Sequence, residues 1–324
     1  MYANSVLLSG IGSLILSKHE VSIISQHHKN TISNLQRLLP LTPRTVIYFL
    51  AGTLPCEAFI HIRMFSLFGM MTRLPENILN QHARNIFSNI TISPGSWFHQ
   101  IKSLCNKYSL PHPLALISSP PPKEVLKAKV KKHVIDYWEQ KLRYEARALP
   151  SLEFFQPSFM SLTRTHPIWS TAGASPTKVV MATAQAQFLS GRLRTEAMCR
   201  HWSSNTQGIC MLSPDCNTRE DVTHILKNCI ALNPTREKLN TFTQSYCASH
   251  PAIASLVLSY CRVECRLFCQ FLLDCSVLPE VIAAVQLHGQ IVLQRLFDIT
   301  RIWVYSLHRD RLKQLGRWRN FAKV

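Results

Sequence analysis

A chain of 324 residues with 46% apolar side chains can bury a substantial core, which excludes wholesale disorder and fits about two or three domains. Its 36 Lys and Arg stand against 18 Asp and Glu, and the resulting formal charge of +18 favours a polyanionic partner. The odd count of 11 cysteines, with no targeting signal, argues for a reducing compartment, so an intracellular location, nuclear and/or cytoplasmic, is expected. Val6 to Leu16 is apolar, but no positive charge precedes it and no cleavage site follows. No charge-free run reaches the length of a membrane span. The nearest, Thr45 to Ile62, contains Pro55, Glu57 and His61, so no membrane partner is expected.

From Lys18 to Leu39 the apolar spacing is helical, and Pro40 and Pro43 punctuate its end. A second helix is expected from Arg44 to Leu50. A third, from Cys56 to about Arg73, is apolar nearly all round and should be buried on most sides. Pro75 restarts the chain into Asn77 to Asn89, and Ser93, Pro94 and Gly95 lead to a helix from Ser96 to Tyr108. These segments make residues 1–109 one helical region. Residues 110–122 hold five prolines without a sustained period and read as a linker or an extended strap.

Residues 123–202 form a basic helical region. Its first helix, Lys123 to Leu149, carries an apolar stripe of Val130, Val134, Tyr137, Trp138 and Leu142 opposite a cationic face, which is either solvated or set against a polyanion. Pro150 to Pro176 is irregular and aromatic. Ser175 to Leu189 is a helix entered through Pro176. Next come Gly191, Arg192, Arg194, Arg200, His201 and Trp202, guanidiniums and rings of the kind that grip single-stranded nucleic acid. The same residues can equally cap helices and fill a core.

Within residues 203–233 lies CMLSPDCNTREDVTHILKNC, which sets Cys210, Cys216, His224 and Cys229 in the pattern C-x5-C-x7-H-x4-C. Three thiolates and an imidazole suit a tetrahedral Zn²⁺ site with a structural role. Ser213, Pro214 and Asp215 favour a reversal between the first two cysteines, and Asn217 or Thr218 can cap a helix opened by Glu220 and Asp221. On an α-helix, however, Cys229 falls about 140° round from His224, so the pair can share a metal only if the helix ends near Asn228. The alternative is buried thiols beside a capped helix. Arg219 and Lys227 stand near enough in sequence to offset the site's negative charge and to contact phosphate.

Residues 234–324 read as a C-terminal helical region. Pro234 to Tyr246 is helical, Pro251 to Cys275 and Pro279 to His308 are two long helices forming a hairpin, and His308 to Val324 is a basic tail. Cys261, Cys265 and Cys269 share one helical face and read as core packing.

FLSGRLRTEAMCRHWSSN, followed by the Cys-Cys-His-Cys segment and EDVTHILKNCIALNPTREKL, resembles the C-terminal region of non-LTR retrotransposon reverse transcriptases. LLSGIGSLILSKHEVSII, YFLAGTLPCEAFIHIRMFSLFGMMTRLP and HVIDYWEQKLRYEARALPSL are similar to stretches that follow the family's polymerase palm. The resemblance implies that Cys210, Cys216, His224 and Cys229 are zinc ligands of a knuckle-like module. It also implies that Arg192, Arg194 and Arg200 form a basic approach to nucleic acid. The family polymerises with paired aspartates that hold two metals, whereas Asp136, Asp215, Asp221, Asp274, Asp298 and Asp310 are all isolated here. The chain therefore resembles a piece that begins after the palm. A longer parent protein would be an RNA-directed DNA polymerase, but the chain itself is expected not to be an enzyme.

The expected fold is mainly α, a multi-helix array with a small embedded zinc-knuckle-like module and a C-terminal helical hairpin. The expected function is non-catalytic binding of RNA or DNA, without a small-molecule substrate, through Arg192, Arg194, Arg200, His201, Trp202, Arg219 and Lys227. The alternative is an all-helical protein-interaction scaffold with purely structural cysteines.

Overall fold

In this computed structural model, residues 10–73, 81–82, 85–87, 95–200 and 207–316 are described. They are mainly helical. The described residues include no named strand, only one antiparallel bridge between Ile209 and Arg219. The chain divides into two compact units, residues 1–32 with 53–145 and residues 33–52 with 146–324.

In the first unit, α1 (Lys18–Leu35) begins with a reciprocal cap, because Ser17 Oγ accepts the Glu20 N–H while Glu20 accepts the Ser17 N–H. The helix α3 (Cys56–Arg73) buries Ile60, Met64, Phe65 and Phe68 against α4 (Trp97–Lys107). Residues 110–122, read from their prolines as a linker or strap, contain the short helix α5 (Pro113–Ser118), with Leu116 and Ile117 buried. His112 starts it by accepting the Leu114 N–H, and Pro113 occupies the first turn, where no N–H is needed. The long α6 (Lys123–Arg147) buries Leu126, Val130, Val134, Trp138 and Leu142, one residue per turn, and leaves Lys123, Lys127, Lys129, Lys131 and Lys132 exposed. The expected helix at Asn77 to Asn89 lies largely outside the described residues.

The second unit takes in the end of α1, which stops four residues before the expected Leu39. Arg37 turns to φ 50°, and the N–H groups of Arg37 and Leu38 return to the carbonyls of Asn34 and Ser33, the pattern that closes helix C-termini. The buried helix α2 (Arg44–Ala51) follows, its Ile47 carbonyl accepting from Gln36 Nε2 at 3.0 Å. Further on come α7 (Pro167–Ser170), α8 (Pro176–Leu189) and α9 (Glu196–Cys199). The last eight residues of α8 are buried, and its alanines at 182, 184 and 186 let it pack closely on the C-terminal helix.

The C-terminal hairpin is present, but its turn falls later than expected. After α11 (Pro251–Arg262), the helices α12 (Cys265–Asp274) and α13 (Pro279–His288) run on as one stretch, and α14 (Gln290–Gln314) returns along it, with the Phe268 and Trp303 ring centroids 5.6 Å apart. The turn falls at Gly289, whose φ of 78° a side chain would disfavour. The helix α10 (Asn233–Ala248) precedes the hairpin, and α14 is the spine against which α8, α10, α12 and α13 all pack. The expected single face of Cys261, Cys265 and Cys269 does not form, because the break at Val263 leaves Cys261 on α11 and the other two on α12; Cys269 is buried in this core while Cys261 and Cys265 are half-buried. The stretch Cys265–His288 is long and apolar enough to cross a membrane by length and composition, and 61% of its most apolar window is buried inside the fold.

Candidate metal centre

The segment from Gly208 to Leu232 is organised by three local structures, none of which is the expected α-helix. A reversal closes Cys216 N–H onto the Ser213 carbonyl at 3.0 Å, with Asp215 N–H on Ser213 Oγ at 3.3 Å. The two limbs pair through Cys210 N–H to Thr218 O at 2.9 Å and Glu220 N–H to Gly208 O at 3.0 Å. Beyond them lies a π turn, His224–Asn228, in which Cys229 N–H reaches the His224 carbonyl at 2.7 Å. The π turn resolves the mismatch between His224 and Cys229. Its i to i+5 closure brings the fifth residue back over the first, where an α-helix would carry it past.

The four donors meet as a result. Cys210 Sγ lies 3.7 Å from Cys229 Sγ, Cys216 Sγ lies 3.4 Å from His224 Nε2, and all four donor atoms fall within 4.8 Å of one another. Tetrahedral bonds of about 2.3 Å to sulfur and 2.0 Å to nitrogen imply edges of roughly 3.5–3.8 Å, so the group is close to the size that a single ion needs. All four residues are buried, and the group can hold a metal ion.

The surroundings support the same chemistry. Thr218 Oγ1 sits 3.1 Å from His224 Nδ1, which orients the ring so that Nε2 faces Cys216. Asp221 Oδ1 accepts the His224 N–H at 2.8 Å. Backbone N–H groups of Leu212, Ile230, Ala231 and Leu232 point at the three sulfurs. Burial pushes the Cys210 thiol up to about 12 and also raises Cys229. At Cys216 burial acts the same way, but hydrogen bonds from Thr218 and Ile230 outweigh it and lower the thiol. Burial, against the opposing pull of Glu220 and Asp221, lowers His224 and so favours the neutral imidazole that a metal ligand must be.

The cation that faces this cluster is Arg236, which sequence reasoning missed. It donates to the Cys229 carbonyl and to Asn233 Oδ1, and its guanidinium, depressed by burial, is supported electrostatically by Cys229 and Cys216. The signal was available: a base in the first turn of α10, with no acid there, opposes the helix dipole and points to an outside anion.

Glu220, expected to open a helix, is instead a knot. Its carboxylate takes Arg311 Nε at 2.9 Å and Nη2 at 2.8 Å, and also the Glu196 N–H at 2.6 Å, all in a fully buried position. Its carbonyl accepts the Ala197 N–H, and Arg311 also donates to the Arg194 carbonyl at 3.0 Å. These bonds fasten residues 194–197 to the metal segment and to α14. Arg194, Arg200 and Arg219 are exposed around this knot, and Arg200's stem lies against Gly208. Arg192 is half-buried, following Gly191, whose φ of 63° and Cβ position 1.9 Å from the Ser151 carbonyl require glycine. Lys227 points away from solvent: its ammonium donates to the Val263 carbonyl at the break between α11 and α12 and lies 5.0 Å from the Phe268 ring centroid. His201 and Trp202 lie outside the described residues.

No protein-family model matches the chain, and no curated protein or solved structure is significantly similar to it.

Proposed function

We propose that this chain is a non-catalytic, nucleic-acid-binding piece of a retroelement-type reverse transcriptase, folded locally around one structural Zn²⁺. Three sulfurs and one imidazole nitrogen are a donor set that zinc favours, and a closed set of four leaves no open position for catalysis. Cys210, Cys216, His224 and Cys229 would hold the ion, and the ion's contribution is to lock the two limbs and the π turn together.

The observation that carries the binding reading is the knot at Glu220. It ties the segment bearing Arg194 and Arg200 to the one bearing Arg219, so three exposed guanidiniums spring from one rigid base. Such a base suits contact with successive phosphates, because little side-chain and loop entropy is lost on binding. A non-catalytic role is supported by the fate of the carboxylates. Asp274 meets His166, Asp298 meets Lys178 and Arg301, and Asp310 meets Thr235 and Arg309. Among the described residues the Cys3His cluster is the one group of three or more His, Cys, Asp or Glu side chains able to hold a metal.

Binding of a labelled single-stranded RNA, followed by fluorescence anisotropy, tests the reading. The triple variant Arg194→Ala, Arg200→Ala, Arg219→Ala is expected to bind at least about tenfold more weakly and with a shallower salt dependence, at unchanged helicity. Undiminished RNA binding by that variant would favour the protein-scaffold alternative.

A further inference from the structure

The first unit carries a cleft that the metal segment and its arginines leave unused. It lies where the turn Ile11–Ser13 and the start of α6 meet α3. Its outer hollow, about 660 Å³, and its inner hollow, about 340 Å³, share Arg63, Ser66, Arg73 and Lys123 in their walls and so adjoin. The walls are tightly set. Gly69 lets Leu126 of α6 approach α3, since a Cβ there would stand 2.4 Å from Leu126 Cδ2, and it lets the Arg73 guanidinium lie across the helix. Gly12 rests against the backbone of Arg63, and its carbonyl is anchored by Trp97 Nε1 at 2.9 Å.

Two properties define what fits. The lining carries four cations, Arg63, Arg73, Lys123 and Lys127, and no carboxylate. Of the four, Lys127 alone has an ion pair among the described residues, an exposed one with Glu124 at 3.7 Å, and Arg73 Nη1 is buried with no hydrogen-bond partner. Cations converging on a concave, partly apolar site raise the local potential and select a multiply charged anion. The inner wall is apolar and aromatic, with Phe59, Ile62 and Val130, which inorganic phosphate alone would leave uncovered. A volume of about 340 Å³ lies at the lower end of small-molecule sites.

We infer that this cleft binds a nucleotide-type phosphate ester, its terminal phosphate held by Arg63, Arg73 and Lys123 and its base set against Phe59 and Ile62. That chemistry is found in a free mononucleotide and at the 5′-phosphorylated end of a strand. The inference does not depend on the metal segment, and its test is built to fail separately from the reading above.

The full zinc-loaded chain is titrated calorimetrically with AMP, adenosine, inorganic phosphate, and a tetranucleotide with and without its 5′-phosphate. AMP or the 5′-phosphorylated tetranucleotide is expected to bind at least tenfold more tightly than adenosine or phosphate, and which of the two binds better identifies the source. Arg63→Gln and Arg73→Gln should each weaken that binding about tenfold, as loss of a charge-assisted contact does. Ser66→Phe, at an exposed position, leaves the charges but fills the hollow and should abolish binding with helicity unchanged. The triple variant at Arg194, Arg200 and Arg219 should bind AMP normally, which separates this site from the nucleic-acid reading. Equal affinity for AMP and adenosine, equal affinity for AMP and phosphate, or no binding would overturn the inference. So would an Arg63- and Arg73-dependent attachment to acidic phospholipid vesicles without any nucleotide binding.

Discussion

His61 Nδ1 shares a hydrogen bond of 2.6 Å with the Tyr108 hydroxyl, and Trp138 Nε1 donates to that same hydroxyl oxygen at 3.3 Å. Burial, reinforced by Lys107, holds His61 down at about 4, and burial beside Arg311 holds His308 down at about 3. Both rings titrate near 6.5 in an unfolded chain. Between pH 6.5 and 4 the unfolded state therefore takes up protons that the folded state refuses, and stability falls as the pH falls. Thermal unfolding followed by circular dichroism should show Tm dropping across this window, with a shallower drop for His61→Gln. An identical slope in the variant would remove His61 from the account. None of this was visible in the sequence, where His61 was merely one polar residue in an apolar helix; its state depends on Tyr108, Lys107 and Trp138, distant in the chain. Arg236 differs, because its conflict with the helix dipole could have been read directly.

The π turn marks the limit of pattern reading at the scale of elements. Spacing correctly flagged the conflict between His224 and Cys229, but the i to i+5 closure has no composition of its own. The end of α1 was hidden for a related reason, since Arg37 takes the left-handed position where glycine would have announced the stop. The bounds of α3, the start of α6 and the proline-led start of α8 were legible because periodicity and proline act locally, while α6 ends at Arg147 rather than at the expected Leu149. What joins the elements was not legible. Glu220 and Arg311 lie 91 residues apart and form a buried, two-pronged ion pair. Glu220→Gln leaves a buried guanidinium without its counter-charge and should cost about 3–5 kcal/mol of stability. Arg311→Met should cost a similar amount, and the double variant less than the sum of the two, as measured by urea unfolding. A loss under about 1 kcal/mol for either single change would show that the knot is not a principal fastening of the metal segment.

At the scale of the whole molecule, the net charge of +18 is displayed unevenly among the described residues. Five lysines on the N-terminal half of α6 are exposed, whereas Arg301 and Arg311 are buried as internal struts. Counting charge thus foretold a cationic surface but not which cations reach it. Nearness to the metal segment likewise gave Lys227 to phosphate, whereas its ammonium closes a break between helices. The mainly helical class was readable from spacing throughout, and so were the four metal donors, because all are encoded within twenty residues of one another.

The Cys3His centre stands at the base of the functional account, and elemental analysis of the purified chain tests it most directly. Wild-type protein should carry roughly one zinc per chain, and Cys216→Ser and His224→Ala should each lose it, since a three-donor remnant no longer closes the site. Full zinc content in both variants, or none in the wild type, would contradict the account.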